Sequence, residues 1–227
     1  MSRNTNKKTD DNIKIGPSLL PPERSKTEIQ IYTHYMKRFV KLIFIQGPIV
    51  AWSIYLVSVF LLSSDKTKEL IESKLQFVKD YELQYLYYVV FFIYVVRLQL
   101  MANVNGARAP TRLDRPDQHI YQVIGSNDLV LMANDGVNGR FNRAQRAINN
   151  MDEGLSLFLV NALLVAPIFG KVVFFLFIPL YGYGRISFGR DYKDSLRGRQ
   201  RGFMLSMYAE HGMAAFVALI AIKVTML

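Results

Sequence analysis

Charge is almost absent from several long stretches of this chain and crowds into the segments between them. No other feature constrains the fold as strongly. A helix needs roughly 20 apolar residues to cross about 30 Å of hydrocarbon, whereas the helices of a soluble domain keep one polar face. With 227 residues, 51% hydrophobic and 13% aromatic, composition alone would also suit a compact soluble domain. The distribution decides for an all-α polytopic membrane protein.

Five spans are expected. The first covers Phe39–Leu62, with Gln46, Gly47 and Pro48 near its start, where a kink is tolerable in a membrane helix. Asp65–Asp80 carries both signs of charge and reads as a short surface helix or loop. The second span starts near Glu82 and is interrupted by Arg97, which should face the bundle interior or reach an interface. The segment from Ala102 to about Asn142 is polar and rich in turn formers, among them Arg115-Pro116-Asp117 and Gly125-Ser126-Asn127. A third helix opens around Arg143 and is apolar from Leu155 to Phe169. The turn Gly170-Lys171 is so short that the fourth helix, Val172 to about Tyr192, must be its antiparallel neighbour. The last span is Gly202–Val224. Residues 1–38, polar and basic with Pro17, Pro21 and Pro22, are expected to be a disordered tail, and 65–81 a connection to the remaining domain, 82–227.

Orientation follows from counting Lys and Arg. With the N-terminus in the cytosol, the basic tail and the Arg-rich loops after the second and fourth spans share one side. The formal charge of +10 has its cause in this arrangement; no separate basic domain points to nucleic acid. There is no cysteine, so disulfides, thiolate metal sites and a cysteine nucleophile are excluded. Any thiol chemistry must use a thiol brought by a substrate. No phosphate loop, dinucleotide glycine motif or zinc motif occurs, and His34, His119 and His211 are far apart in sequence. No metal is expected. Glu210-His211 in the last span reads first as an interhelical hydrogen bond or an interface position.

The stretch Phe141–Glu153 stands apart. On a helix, Arg143, Arg146, Asn150 and Glu153 fall three, four and three apart and line one face. Cations, an amide and a carboxylate on one stripe suit a zwitterionic, amide-rich ligand. On the following helix Arg185, Phe188 and Tyr192 share a face, with Tyr181 one turn before and Arg199 seven residues beyond. Two such faces on antiparallel neighbours can form a pocket. Spacing alone equally allows two helix ends decorated with interfacial Arg and Tyr.

The segment Arg146-Ala147-x-x-Asn150-x-x-Glu153, with Phe141 and Arg143 upstream, resembles the signature of the MAPEG family, membrane-associated proteins of eicosanoid and glutathione metabolism. Arg185, Tyr192 and a downstream Arg match that family's second motif in order and spacing. The resemblance spans Glu82–Leu227. It implies a four-helix bundle in a homotrimer, with glutathione between subunits near the cytosolic side and hydrophobic substrates arriving from the bilayer. The Phe39–Leu62 span would then be an addition to the family's four helices, which also accounts for an N-terminus inside.

Carried over, Arg146, Asn150 and Glu153 would hold the glutathione backbone and charged ends, while Arg185 and Tyr192 would sit by its thiol. Arg199 or Arg201 would stabilise the thiolate, since a nearby cation favours the charged form of a thiol. Arg199 keeps the heptad face. The Arg of the family's first helix would be Arg108, with Arg97 the alternative. Phe188, Gly154 and Gly202 depart from the residues of the specialised eicosanoid enzymes. The resemblance therefore implies a microsomal glutathione transferase or peroxidase, probed against a non-catalytic lipid-binding scaffold of the same fold. A small transporter would need a broken-helix pair or inverted repeat, and neither is evident.

Overall fold

The architecture comes from a computed structural model that describes residues 26–61, 64–111, 113, 118–124 and 129–227. The expected disordered tail over 1–25 and the turns at 115–117 and 125–127 lie outside these residues.

Helix α1 spans Glu28–Lys41, so the first helical limb begins ahead of Phe39, inside the segment expected to be tail. The cause is a capping box. The Thr27 hydroxyl accepts from the Gln30 amide at 3.3 Å, and the Gln30 side chain accepts from the Thr27 amide at 2.9 Å. A π-helical turn at Leu42–Gln46 leads into α2, Gly47–Leu56. Pro48 has no N–H and its ring would clash with the carbonyl four residues back, so a wider turn just before it relieves the ladder. The same device recurs at Val173–Phe177, ahead of Pro179.

Helix α3, Asp65–Asp80, is capped by Ser64 and buries no residue. Glu82, with φ of 53°, turns the chain into α4, Gln84–Arg108, and its carboxylate pairs with Lys171 at 2.9 Å. A two-stranded antiparallel hairpin follows, β1 Tyr121–Ile124 and β2 Leu129–Met132, which the turn-rich sequence did not announce. Asn142 pins it: the side-chain amide donates to the carbonyls of Ile120 and Ala133, each at 2.8 Å, and accepts from Ile120 N–H at 2.9 Å.

Helix α5 runs Gly136–Val172, starting earlier than the expected Arg143. Its ladder breaks at Phe169 (φ −128°, ψ 41°), beside the expected Gly170-Lys171 turn, and the chain doubles back into α6, Ile178–Asp194. Helix α7 is Arg199–Thr225. Among the described residues, four helical stretches are long and apolar enough to cross a membrane: 28–60, 84–111, 136–194 and 199–225. The third has 59 residues, far more than the roughly 20 of one crossing. Contacts such as Asn150 with Arg185 and Phe158 with Tyr181 show its two arms lying side by side.

The core lies among α4–α7. Val89, Ile93, Val96, Leu100, Val104 and Ala107 recur at three- and four-residue steps on α4 and pack against Ile148, Met151 and Val165 of α5. Phe158 stacks on Tyr181, centroids 4.1 Å apart and 11° from parallel. Helices α6 and α7 touch backbone to backbone: a Cβ on Gly202 would lie 2.2 Å from the Phe188 nitrogen, and one on Gly184 2.6 Å from that of Ser206. This close approach sets the position of Arg199 relative to α6.

Candidate functional site

At the end of the bundle that carries the Arg loops, α5, α6 and α7 enclose an open cavity of about 440 Å³. It is lined by Arg146 and Asn150 of α5, Phe188 and Tyr192 of α6, and Arg199, Gln200 and Phe203 of α7. Five of the positions named from the sequence thus meet around one space. The Tyr192 ring stacks on Phe188 at 5.3 Å, and the Arg199 guanidinium lies over the same tyrosine ring, 5.7 Å from its centroid. Cation and ring brace each other.

Arg199 and Gln200 are also the first residues of α7. The positive dipole end of a long helix therefore borders the cavity beside a guanidinium. Arg146 and Glu153, both about half exposed, pair across two turns of α5 at 3.4 Å. Two opposite charges with room around them can exchange each other for the charged ends of a ligand.

Behind the cavity is a buried network. Arg185, 3% exposed, donates to the Asn150 carbonyl oxygen at 2.7 Å, pairs with Glu210 and lies 5.1 Å from the Tyr181 ring centroid. A guanidinium in the apolar half of a bundle needs such partners. It fixes the Asn150 amide with its oxygen turned inward, leaving the amide's N–H₂ for the cavity. Arg185 acts on the cavity through Asn150 and is not among its lining residues.

Arg143 has a different position from its neighbours on the stripe. It is buried, its Nε donates to the carbonyls of Tyr192 and Lys193 at 3.0 Å each, and its terminal nitrogen donates to the Asn134 carbonyl. These are the orphan carbonyls at the end of α6. Arg143 thereby holds the Tyr192 backbone; the cavity is lined without it. Arg201 is exposed and lies near Asp191 rather than on the cavity, because two residues past the heptad register carry it around the helix.

Arg108 lies elsewhere. It is buried at the end of α4, with its guanidinium 4.7 Å from the Phe141 centroid, and borders a second cavity of about 410 Å³ between α4 and α5. Arg97 and Asp152 border it too, joined by two hydrogen bonds of 3.0 Å. Arg97 thus meets the requirement for a partner inside a span. Helix α5 presents Gln145, Asn149 and Asp152 to this cavity and Arg146 and Asn150 to the first, so one helix serves two polar faces.

Gln200 and Phe203 are lining residues that sequence reasoning missed. Phe203 continues the step from Tyr192 and Arg199 by four residues, a signal that was available. Gln200 was not legible, because only the start of α7 at Arg199 turns it inward. No group of three or more His, Asp or Glu side chains able to hold a metal occurs among the described residues.

A membrane helical bundle with a cationic, aromatic-lined cavity at one end is thus the class that fold and site define. The family model described as MAPEG family matches residues 83–219, more than half of the chain. The chain belongs to the MAPEG family, an all-helical membrane fold whose members include glutathione-using transferases and related enzymes. No curated protein matches it.

Proposed function

We propose that the chain is a membrane glutathione transferase or peroxidase, acting on hydrophobic electrophiles or lipid hydroperoxides. The observation that carries this reading is the convergence of Arg146, Asn150, Tyr192 and Arg199 on one cavity from three helices. Arg146 and Glu153 would part to take the carboxylate and ammonium ends of glutathione, and Asn150 would donate to a peptide carbonyl. Arg199 and the α7 N-terminus would stabilise the thiolate, whose proton leaves to solvent. The sulfur pair then attacks the electrophilic carbon, and the leaving group departs with its bonding pair. With a hydroperoxide, sulfur attacks the distal oxygen, the alcohol is released on protonation, and a second glutathione gives the disulfide and water.

Arg199 is favoured over Arg201 as the thiolate partner because it lines the cavity. Arg143 and Arg185 are positioning residues for Tyr192 and Asn150. Arg108, on the other polar face of α5, suits a role completing the cavity of a neighbouring copy in a homotrimer. In the proposed setting the Arg loops and N-terminus are cytosolic and the membrane is that of the endoplasmic reticulum.

The test is glutathione binding to detergent-purified protein, followed by the ultraviolet absorbance of bound thiolate. Saturable binding with thiolate at neutral pH, weakened about tenfold or more in Arg146→Gln, is expected. Absence of binding at saturating glutathione would overturn the enzyme reading in favour of a scaffold that keeps the motif without its use.

A further inference from the structure

Past the cavity, the same stripe of α5 continues into the membrane part of the bundle, where it borders a second, smaller pocket. Gly154, Leu157, Phe158 and Asn161 of α5 face Glu210, His211 and Ala214 of α7 around about 130 Å³. Asn161 lies 15 residues beyond Arg146, roughly 22 Å deeper at ~1.5 Å per residue. That depth falls among acyl chains, where an amide without a partner is expensive.

Yet Asn161 is only 8% exposed, and no group among the described residues bonds its side-chain amide, which opens onto the pocket. Glu210 gives one oxygen to Arg185; the other lies 3.6 Å from where a Cβ on Gly154 would be. His211 Nδ1 lies 2.9 Å from the Met207 carbonyl. A carbonyl can only accept, so Nδ1 carries the proton, and in the neutral ring Nε2 is left as an acceptor. The pocket therefore offers one N–H₂ donor with several acceptors inside an apolar wall of Leu157, Phe158 and Ala214. Hydrocarbon satisfies none of them. A ketone satisfies only the donor. A hydroxyl or hydroperoxyl group, which donates and accepts at once, satisfies both.

We infer that this pocket is a subsite for the hydroxyl or hydroperoxyl group of an oxygenated acyl chain lying in the bilayer. The absent side chain at Gly154 keeps it open, and its depth matches an oxygen at mid-chain rather than at a headgroup. As an acceptor subsite it rests on the glutathione reading above; as a binding site it stands without it. The Arg185–Glu210 pair and Asn150 join its wall to that of the glutathione cavity, so a chain held here would lie alongside the bound thiol.

The experiment is equilibrium binding of radiolabelled octadecanoic acid and its mid-chain hydroxy derivative to the full chain in phosphatidylcholine nanodiscs. The same pair esterified in phosphatidylcholine distinguishes a free acid from a membrane lipid as the source. Wild type should prefer the hydroxylated chain about fivefold, the value of one added hydrogen bond. Asn161→Leu should abolish the preference while retaining the plain chain. Gly154→Leu, whose Cβ meets only ordinary contacts, should fill the pocket and abolish it too, which guards against misfolding of the first variant. Glutathione binding is measured on the same samples and should be unchanged in both variants. Equal affinity of wild type for the two chains, or a preference that survives both substitutions, overturns the subsite. If the preference holds but wild type binds no glutathione, the subsite stands and the catalytic reading falls.

Discussion

The first helical limb, residues 28–61, and the bundle of α4–α7 are both apolar enough to span a membrane, but they are held in place by different forces. In the most apolar window of the limb no residue is buried, whereas in α4 about a third are. The limb meets the bundle mainly at its polar end. There Glu28 bonds Lys193 at 2.6 Å and Arg140 at 3.1 Å, and Tyr32 accepts from Gln99 at 3.3 Å. Farther along, Phe44 meets Phe91 at 6.4 Å between centroids. The bundle is held instead by interdigitated side chains and one buried ionic network. In lipid, apolarity brings a helix into the membrane but does not press it against another helix; small residues, shape and polar contacts do that.

That contrast can be broken from the bundle side first. Arg185→Leu removes the partner of Glu210 and leaves a carboxylate among apolar helices. We expect a loss of about 3–5 kcal/mol, read as a lowered midpoint of thermal unfolding in detergent; an unchanged midpoint would remove the network from the account of bundle stability. The next effect is catalytic. Arg199→Leu should lower turnover of a hydrophobic electrophile about 10²-fold, on the scale of one lost transition-state stabiliser. The bound thiol should require a higher pH to ionise, while Arg201→Leu leaves both nearly unchanged. A loss confined to Arg201→Leu would reverse the assignment.

Gly202→Ala places a Cβ against the α6 backbone, which cannot rotate away. Overpacking of this kind costs about 1–3 kcal/mol, and thiolate formation should fall with it, because the spacing of α6 and α7 sets Arg199 over Tyr192. The smallest effect belongs to the limb. Glu28→Gln weakens partly exposed ion pairs worth under about 1 kcal/mol, so the bundle's midpoint should hold. Hydrogen exchange should quicken in α1 alone; faster exchange in α6 as well would show that the limb supports the site.

The helical limbs, the turn near Gly170 and the Arg146–Asn150–Glu153 stripe were legible because each is local: a missing charge over twenty residues, a short turn, a helical repeat. Helix starts were less legible. The capping box at Thr27 extends α1 into polar sequence, and α5 begins two turns before its first obvious motif, because caps and tertiary partners outweigh hydropathy at an end. The hairpin at Tyr121–Met132 was missed since its strands are short and gain order from Asn142, a residue distant in sequence.

The sequence by itself determined that this chain enters a membrane, where it turns, and which side chains share a helix face, since those depend on hydropathy and a fixed helical repeat. What each Arg does was decided only by tertiary structure. Arg143, Arg146, Arg185, Arg199 and Arg201 are chemically identical. A guanidinium takes its role from the nearest acceptor: orphan carbonyls at the end of α6, a carboxylate two turns away, a buried amide and glutamate, an aromatic face, or the solvent side near Asp191. Those acceptors lie on other helices for all but one of them, Arg146 being paired within its own helix. The contact of α6 with α7 through Gly184 and Gly202 chose between Arg199 and Arg201 for the cavity.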